Sequence, residues 1–370
     1  MYVQLLIIIL GFLALKWYPQ VGSEQNQVRQ HKRYIVFMMV LLTLQSGLRH
    51  LAVGSDTFAY YNTFLDVQNT SWDILWQNCL DFLDYGEGKD PGYYLALKAI
   101  QLVLPTYQLY LIGLAAFVFY GLGKILYTFT KSNYEVLLAM ALYQCLYYSF
   151  FSITGHRQTM ATGFLFLALP YVMERKPVQF CLLVLIAATQ HKSALLFVPF
   201  YFLPLLKASK TMLIGSLGAF VLMWIWGGRI AGYMMMSVSM DQYANYLVAY
   251  DGAGAYGFAA FILLLGILLL LSHQKIVYEE NNTAMILNAV AVAIMLTPLT
   301  MINPSNMRIV QYYSIFGLIA LPWAVKNMNI SSNANNSYVI ISLLLTIYTI
   351  SRNSPYAFFW QEIALGANYL

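Results

Sequence analysis

Four short polar clusters interrupt the apolar runs of this chain, and each carries residue types able to do chemistry. In the first, Gly47-Leu48-Arg49-His50 leads into Val53-Gly54-Ser55-Asp56-Thr57 and Tyr60-Tyr61. Arg49 could bind an anion while Asp56 accepts a proton or orients a hydroxyl; the bland alternatives are an interfacial arginine and a helix cap. The second, Gly155-His156-Arg157-Gln158, opens the apolar run 159–173. A cation at a helix N-terminus opposes the macrodipole, and that mismatch favours a bound anion, for which the planar guanidinium fork of Arg157 suits a phosphate. The third, Thr189-Gln190-His191-Lys192-Ser193, divides two apolar runs, and His191 can serve as an acid or base near neutral pH. Its bland reading is a polar hairpin tip. The fourth, Asn303-Pro304-Ser305-Asn306-Met307-Arg308, is a proline-broken junction of the kind that forms half-helix ion sites; the alternative is a short loop with Arg308 at the interface.

These clusters sit in an unusual background. Of 370 residues, 60% are apolar and 9% are charged, against about 25% charged in a soluble domain. Too few charges remain to cover a water-facing surface, so lipid must solvate most of the molecule. The chain reads as an all-α polytopic membrane protein forming a single transmembrane domain, 1–370. Three scattered cysteines exclude a disulfide framework, and a net charge of +5 with no basic cluster longer than a few residues gives no reason to expect nucleic acid. P-loop, dinucleotide, zinc-protease and Gly-x-Ser-x-Gly motifs are all absent, as is an Asp-x-Asp pair for a divalent ion. No metal or cofactor is therefore expected.

Apolar runs occur at 2–18, 34–48, 107–127, 134–152, 159–173, 178–190, 193–206, 211–226, 256–272, 283–302, 309–325 and 337–350. They predict about 12 transmembrane helices, the runs 178–190 and 193–206 being short enough to tilt or form a re-entrant hairpin. A further run, 93–104, is too short to span and reads as an interfacial or re-entrant helix. With both termini outside, 12 of the 20 Lys and Arg residues fall on the cytoplasmic side, among them Arg29, Lys32 and Arg33. Under that orientation all four polar clusters share the outer face, and Arg49, Arg157 and Arg308 could converge on one pyrophosphate. The segments 49–106 and 227–255 are then large extracytoplasmic loops. The 30 tyrosines and 7 tryptophans read mainly as interfacial belts.

The ordered series Arg49…Gly54-Ser55-Asp56-Thr57…Tyr60, Asp90-Pro91-Gly92-Tyr93, Gly155-His156-Arg157-Gln158, His191-Lys192-Ser193 and Arg308 resembles the EpsG family, bacterial exopolysaccharide and O-antigen polymerases of the Wzy type. The resemblance covers roughly 34–325. It departs from the family pattern at His156, where an aliphatic residue is usual, and at Gly-Ser-Asp in place of Gly-Thr-Asp. The resemblance implies a GT-C-like helical arrangement in the bacterial cytoplasmic membrane and a site facing the exterior. The implied substrate is an undecaprenyl-pyrophosphate-linked oligosaccharide, and the implied activity is a metal-independent glycosyltransferase. Membrane lipids surround it, and a chain-length regulator and a flippase are candidate protein partners. On this reading Arg157 and Arg308, supported by Arg49 and Gln158, bind the pyrophosphate, while His191, Asp56 or His156 handles the acceptor proton. An O-antigen ligase, a flippase for the lipid-linked oligosaccharide, and an acyltransferase using His273 are the competing classes.

Overall fold

The computed structural model describes residues 3–54, 56–86, 88–237, 254–280, 282–328, 333–351 and 356–362. Every regular element among them is helical. Two compact units emerge, one formed by 1–198 with 339–370 and the other by 199–338.

In the first unit, α1 (Val3–Trp17) and α2 (Glu24–Gly47) are joined by a short turn, and Ser23 caps α2 by accepting from the Asn26 amide. Three short helices then occupy 49–106: α3 (Thr57–Asn69), α4 (Trp72–Tyr85) and α5 (Pro91–Gln101). Gly86 ends α4 in the left-handed region (φ 72°), where the lack of a Cβ removes the penalty. Next come α6 (Tyr107–Phe129), α7 (Asn133–Leu146), α8 (His156–Met173) and α9 (Pro177–Gln190). A Ser132–Glu135 capping box starts α7. Between α2 and α7, the buried Gln45 and Gln144 amides bond each other reciprocally at 2.7 and 3.2 Å, the kind of polar pair that fixes helix register in lipid.

The second unit contains α10 (Lys210–Ser237), α11 (Tyr256–Glu279), α12 (Thr283–Leu296), α13 (Leu299–Ile302), α14 (Met307–Ser314) and α15 (Gly317–Asn327). The chain then enters α16 (Ala334–Ser351) and the segment 356–362. A 3-10 helix, Lys192–Leu205, precedes α10.

Among the described residues, five helices are long and apolar enough to cross a membrane: Tyr107–Phe129, Lys210–Gly227, Tyr256–Val277, Thr283–Ile302 and Ala334–Ser351. A sixth is formed if Pro304–Ser314 and Gly317–Asn327, bent by 63°, make one broken span. This falls short of the twelve apolar runs for a physical reason. An apolar run is not always one helix: 134–152 becomes the 14-residue α7 followed by a π-helical turn, Tyr148–Ile153. At 1.5 Å per residue, α7 reaches about 21 Å, less than a hydrocarbon core of about 30 Å. The run 193–206 holds Pro199 and Pro204 and folds as the 3-10 helix. The run 93–104 yields α5, 11 residues long and too short to cross. Of the segment 227–255, residues up to Ser237 continue α10, and 238–253 lie outside the described residues.

Candidate functional site

The candidate site is built around one acid. Asp90 precedes Pro91 at the start of α5 with φ 51°, a left-handed conformation that Asp tolerates better than most residues. Its side chain does not cap α5. Instead the fully buried carboxylate accepts from His191 Nδ1 at 3.0 Å, from the Lys192 amide at 3.1 Å and from Arg157 Nη1 at 3.4 Å. Two of the polar clusters thus meet on a residue that neither of them contains. Burial alone would raise the Asp90 carboxyl, but the His191 hydrogen bond and charge, the Lys192 amide and the Arg157 guanidinium outweigh it and hold the group below the usual carboxylate range. The depressed value makes the carboxylate's contribution to stability complete above the unfolded value of about 4, and lost only as pH falls through the lower folded one.

Because a carboxylate can only accept, His191 donates through Nδ1, which leaves Nε2 as the lone-pair nitrogen of the neutral ring. His191 stands at the C-terminal end of α9, where the chain turns extended, and its side chain keeps 10% exposure. Arg157 keeps 22% exposure, bonds the Lys89 carbonyl at 3.3 Å, and has its guanidinium carbon 6.0 Å from the centre of the Tyr93 ring.

Gly92 determines how closely these segments approach. A Cβ there would stand 2.6 Å from Thr189 Cβ and 2.7 Å from the Thr189 carbonyl oxygen. Gly92→Ala must therefore push α5 away from α9, two residues from Asp90 on one side and from His191 on the other. A misplacement of about 1 Å costs on the order of 100-fold in rate, so we expect Gly92→Ala to lose about that much activity while still reaching the membrane. Wild-type product from this variant would show that the α5–α9 spacing does not matter.

A second constellation adjoins the first. Arg49 is buried, at 3% exposure, and among the described residues no carboxylate pairs with it. Its Nη1 donates to the Ser46 carbonyl and its Nη2 to His156 Nε2 at 2.8 Å, while Nε has no partner. Since arginine always donates, the His156 ring is neutral with its proton on Nδ1, which is also unpartnered. The imidazole stacks on Tyr60 at 4.1 Å and 11° and lies beside Tyr107 and Tyr110. Tyr60 also pairs with Arg157, so one phenol joins the two constellations. The tail holds Arg49 from behind: the His50 amide donates to the Ala357 carbonyl at 2.8 Å, and the Phe359 amide donates to the Leu48 carbonyl at 2.9 Å.

These tyrosines pack into the core of the first unit rather than lining an interfacial belt; Tyr93, Tyr107 and Tyr110 are buried with Phe64, Leu97 and Met160. The Tyr93 and Tyr110 hydroxyls pair at 2.9 Å. Upstream of α8, the π-helical turn ends at Ile153, and Gly155, whose φ of 71° suits glycine, starts α8 and sets the direction in which His156 and Arg157 leave. Such π turns recur at functional sites.

The remaining candidates are placed differently. Asp56 occupies the N-cap position of α3 without a side-chain cap bond, and Thr57 makes the local bonds instead, to the Val53 and Ile153 carbonyls at 2.6 and 3.2 Å. Gln158 is buried in the first turn of α8. Arg308 belongs to the second unit, in the first turn of α14, after a junction in which Asn303 accepts from the Ser305 amide at 2.9 Å. Among the described residues, no three His, Cys, Asp or Glu side chains gather as a metal-ligand set.

In the sequence, Asp90 stands only as part of Asp90-Pro91-Gly92-Tyr93, with nothing local to assign it a role. The available signal was the Asp-Pro-Gly triplet, whose ordinary meaning is a helix start. The arrangement of an acid, an imidazole oriented through Nδ1, and a partly exposed guanidinium can deprotonate a hydroxyl and receive an anion. A sequence model of the EpsG family, Wzy-type polysaccharide polymerase-like proteins, matches residues 32–362. Neither a curated protein nor a solved structure matches the chain.

Proposed function

Since the chain belongs to the EpsG family, we propose that it polymerises lipid-linked oligosaccharide repeat units into a surface polysaccharide. The Asp90–His191–Arg157 constellation is the observation that carries this reading. In the proposed step, His191 Nε2 takes the proton of an acceptor hydroxyl on one repeat unit, and the hydroxyl oxygen bonds to the anomeric carbon of another. The bond from that carbon to the pyrophosphate oxygen breaks, and undecaprenyl pyrophosphate leaves with the electron pair. Asp90 fixes the tautomer of His191 and balances the imidazolium that forms, the role an acid plays in hydrolase triads. Arg157 meets the charge developing on the leaving group, and preorganised donors are most effective at that point of a reaction. Gln158, in the first turn of the same helix, would support Arg157 in the pyrophosphate cradle.

Two of the expected assignments are refined. Neutral His156 spends its lone pair on Arg49, which leaves it as a positioning residue and favours His191 as the base. Arg49, buried against His156, supports the site from within rather than touching the lipid pyrophosphate. Asp56 remains the second candidate for orienting the acceptor. A GT-C-like arrangement without a metal, in the bacterial cytoplasmic membrane with this site facing outward, belongs to the same proposal.

Deleting the gene and resolving surface glycan and lipid-linked precursors by size tests the activity. Single repeat units at the surface, with the longer ladder gone, are expected. Long polymer retained on its lipid carrier would make the protein a ligase, and repeat units stranded inside would make it a flippase.

A further inference from the structure

A second, separate site lies at the opposite end of α2 from Arg49. Arg29, Lys32, Arg33, Val36, Phe37 and Val40 line a groove of about 590 Å³. Their spacing of i, i+3, i+4, i+7, i+8 and i+11 places them in one continuous stripe, basic for its first turn and apolar for the next two. The other face of α2 is committed to the core through Tyr34, Ile35, Met38 and Leu42. The stripe itself is left uncovered: all three bases are exposed, and so are Val36 and Val40. Among the described residues no carboxylate pairs with any of the three bases.

Tyr18 forms the remaining wall, with its ring 5.9 Å from that of Phe37. That wall is pinned. Asn133 Nδ2 donates to the Tyr18 carbonyl at 2.7 Å, Tyr34 donates its hydroxyl to the Gly11 carbonyl at 3.1 Å, and His31 bonds Asn133 at 2.9 Å. The groove is therefore built into the helix packing rather than improvised by mobile side chains.

From this we infer that the groove binds one anionic phospholipid, with its phosphate among Arg29, Lys32 and Arg33 and an acyl chain along Val36, Phe37 and Val40. Charge complementarity selects the headgroup, because three unpaired cations on one helical turn repel each other unless an anion lies between them. The apolar continuation of the same stripe selects a lipid over a free anion. A helix presenting bases and then aliphatic residues in the order of a lipid's own headgroup and tail is oriented as the membrane requires. The orientation expected from the Lys and Arg distribution puts this end at the cytoplasmic face, where anionic lipids attract basic clusters. The inference does not depend on the transfer chemistry at the other end.

The test uses the full-length protein in detergent, with lipid adducts counted by native mass spectrometry against equal phosphatidylglycerol and phosphatidylcholine. One retained phosphatidylglycerol is expected, preferred by on the order of 100-fold; each base contributes about fivefold, as for basic residues at an anionic surface. Arg29→Gln, Lys32→Gln and Arg33→Gln should each lose about fivefold, and together they should abolish the preference. Val36→Trp, which fills the groove and keeps every charge, should also release the lipid. Equal retention of both lipids, or a preference unchanged by the charge substitutions, overturns the site. A preference that survives Val36→Trp reduces it to a charged surface. Inorganic phosphate should not stabilise the protein to heat; stabilisation equal to that by phosphatidylglycerol would make this an anion site and overturn the lipid assignment.

Discussion

Replacing Asp90 by Asn is expected to cut polymer synthesis by about three to four orders of magnitude, with the protein still folded and still in the membrane. The substitution is nearly isosteric. Asn adopts the left-handed region as readily as Asp, so φ 51° at this position adds no strain. The amide oxygen can still accept from the Lys192 amide. What changes is the face presented to His191: an amide NH₂ donates, so Nδ1 must accept and the proton moves to Nε2. The ring then has no lone pair to offer a hydroxyl. The same tautomer inversion costs about 10⁴ in the turnover of a serine protease whose triad acid is made an amide.

Stability separates this mechanism from a collapsed site. Asp90→Ala, unlike Asp90→Asn, strips every acceptor from buried partners, and breaking a buried ion pair costs about 3–5 kcal/mol. That variant should therefore accumulate poorly, while Asp90→Asn should unfold near the wild-type temperature. The polymer ladder and thermal unfolding of the purified protein, measured on both variants, check the pair. An Asp90→Asn protein with normal ladder length would show that His191 does not act through Asp90. Acid gives an independent check on the same group. With its carboxyl held below the usual range, Asp90 stays ionised at pH 5, so loss of activity there should follow titration of other groups.

Why Asp90 escaped a reading of the sequence is a matter of distance along the chain. It bonds residues 67 and 101 positions away. The segment 49–106 also carries Asp56, Asp66, Asp73, Asp81 and Asp84, and nothing local distinguishes the one that is buried. Arg157 and His191, by contrast, were legible because each interrupts an apolar run, where a polar residue is costly without a partner. Arg49 was legible as a candidate, but its partner was not: His156 lies 107 residues away. The helices show the same division. Caps at Ser23, Ser71 and Ser132 follow directly from residue type. The break within 134–152 does not, because Tyr-Ser-Phe-Phe-Ser-Ile is as apolar on average as a helix interior, and only packing turns it into a π-helical step before Gly155.

The second large effect is expected at Arg157, where Lys should retain the charge and lose most of the activity. The guanidinium makes several contacts at once: Nη1 reaches both the Lys89 carbonyl and Asp90, the hydroxyl of Tyr60 pairs with the group, and its carbon lies 6.0 Å from the centre of the Tyr93 ring. Lysine offers a single point of charge on a flexible stem and cannot make these contacts together while also presenting donors to a pyrophosphate. Losing one donor preorganised for a developing charge costs about 10²–10³ in turnover, so Arg157→Lys should shorten the ladder to little beyond single repeats. Arg157→Gln should be no better, since it also leaves Asp90 with one cation fewer. Comparing the two separates geometry from charge. If Lys restores synthesis and Gln does not, Arg157 acts through charge alone, and the bidentate role fails. If both variants make polymer of normal length, the leaving group is stabilised elsewhere, and Arg308 of the second unit becomes the residue to substitute.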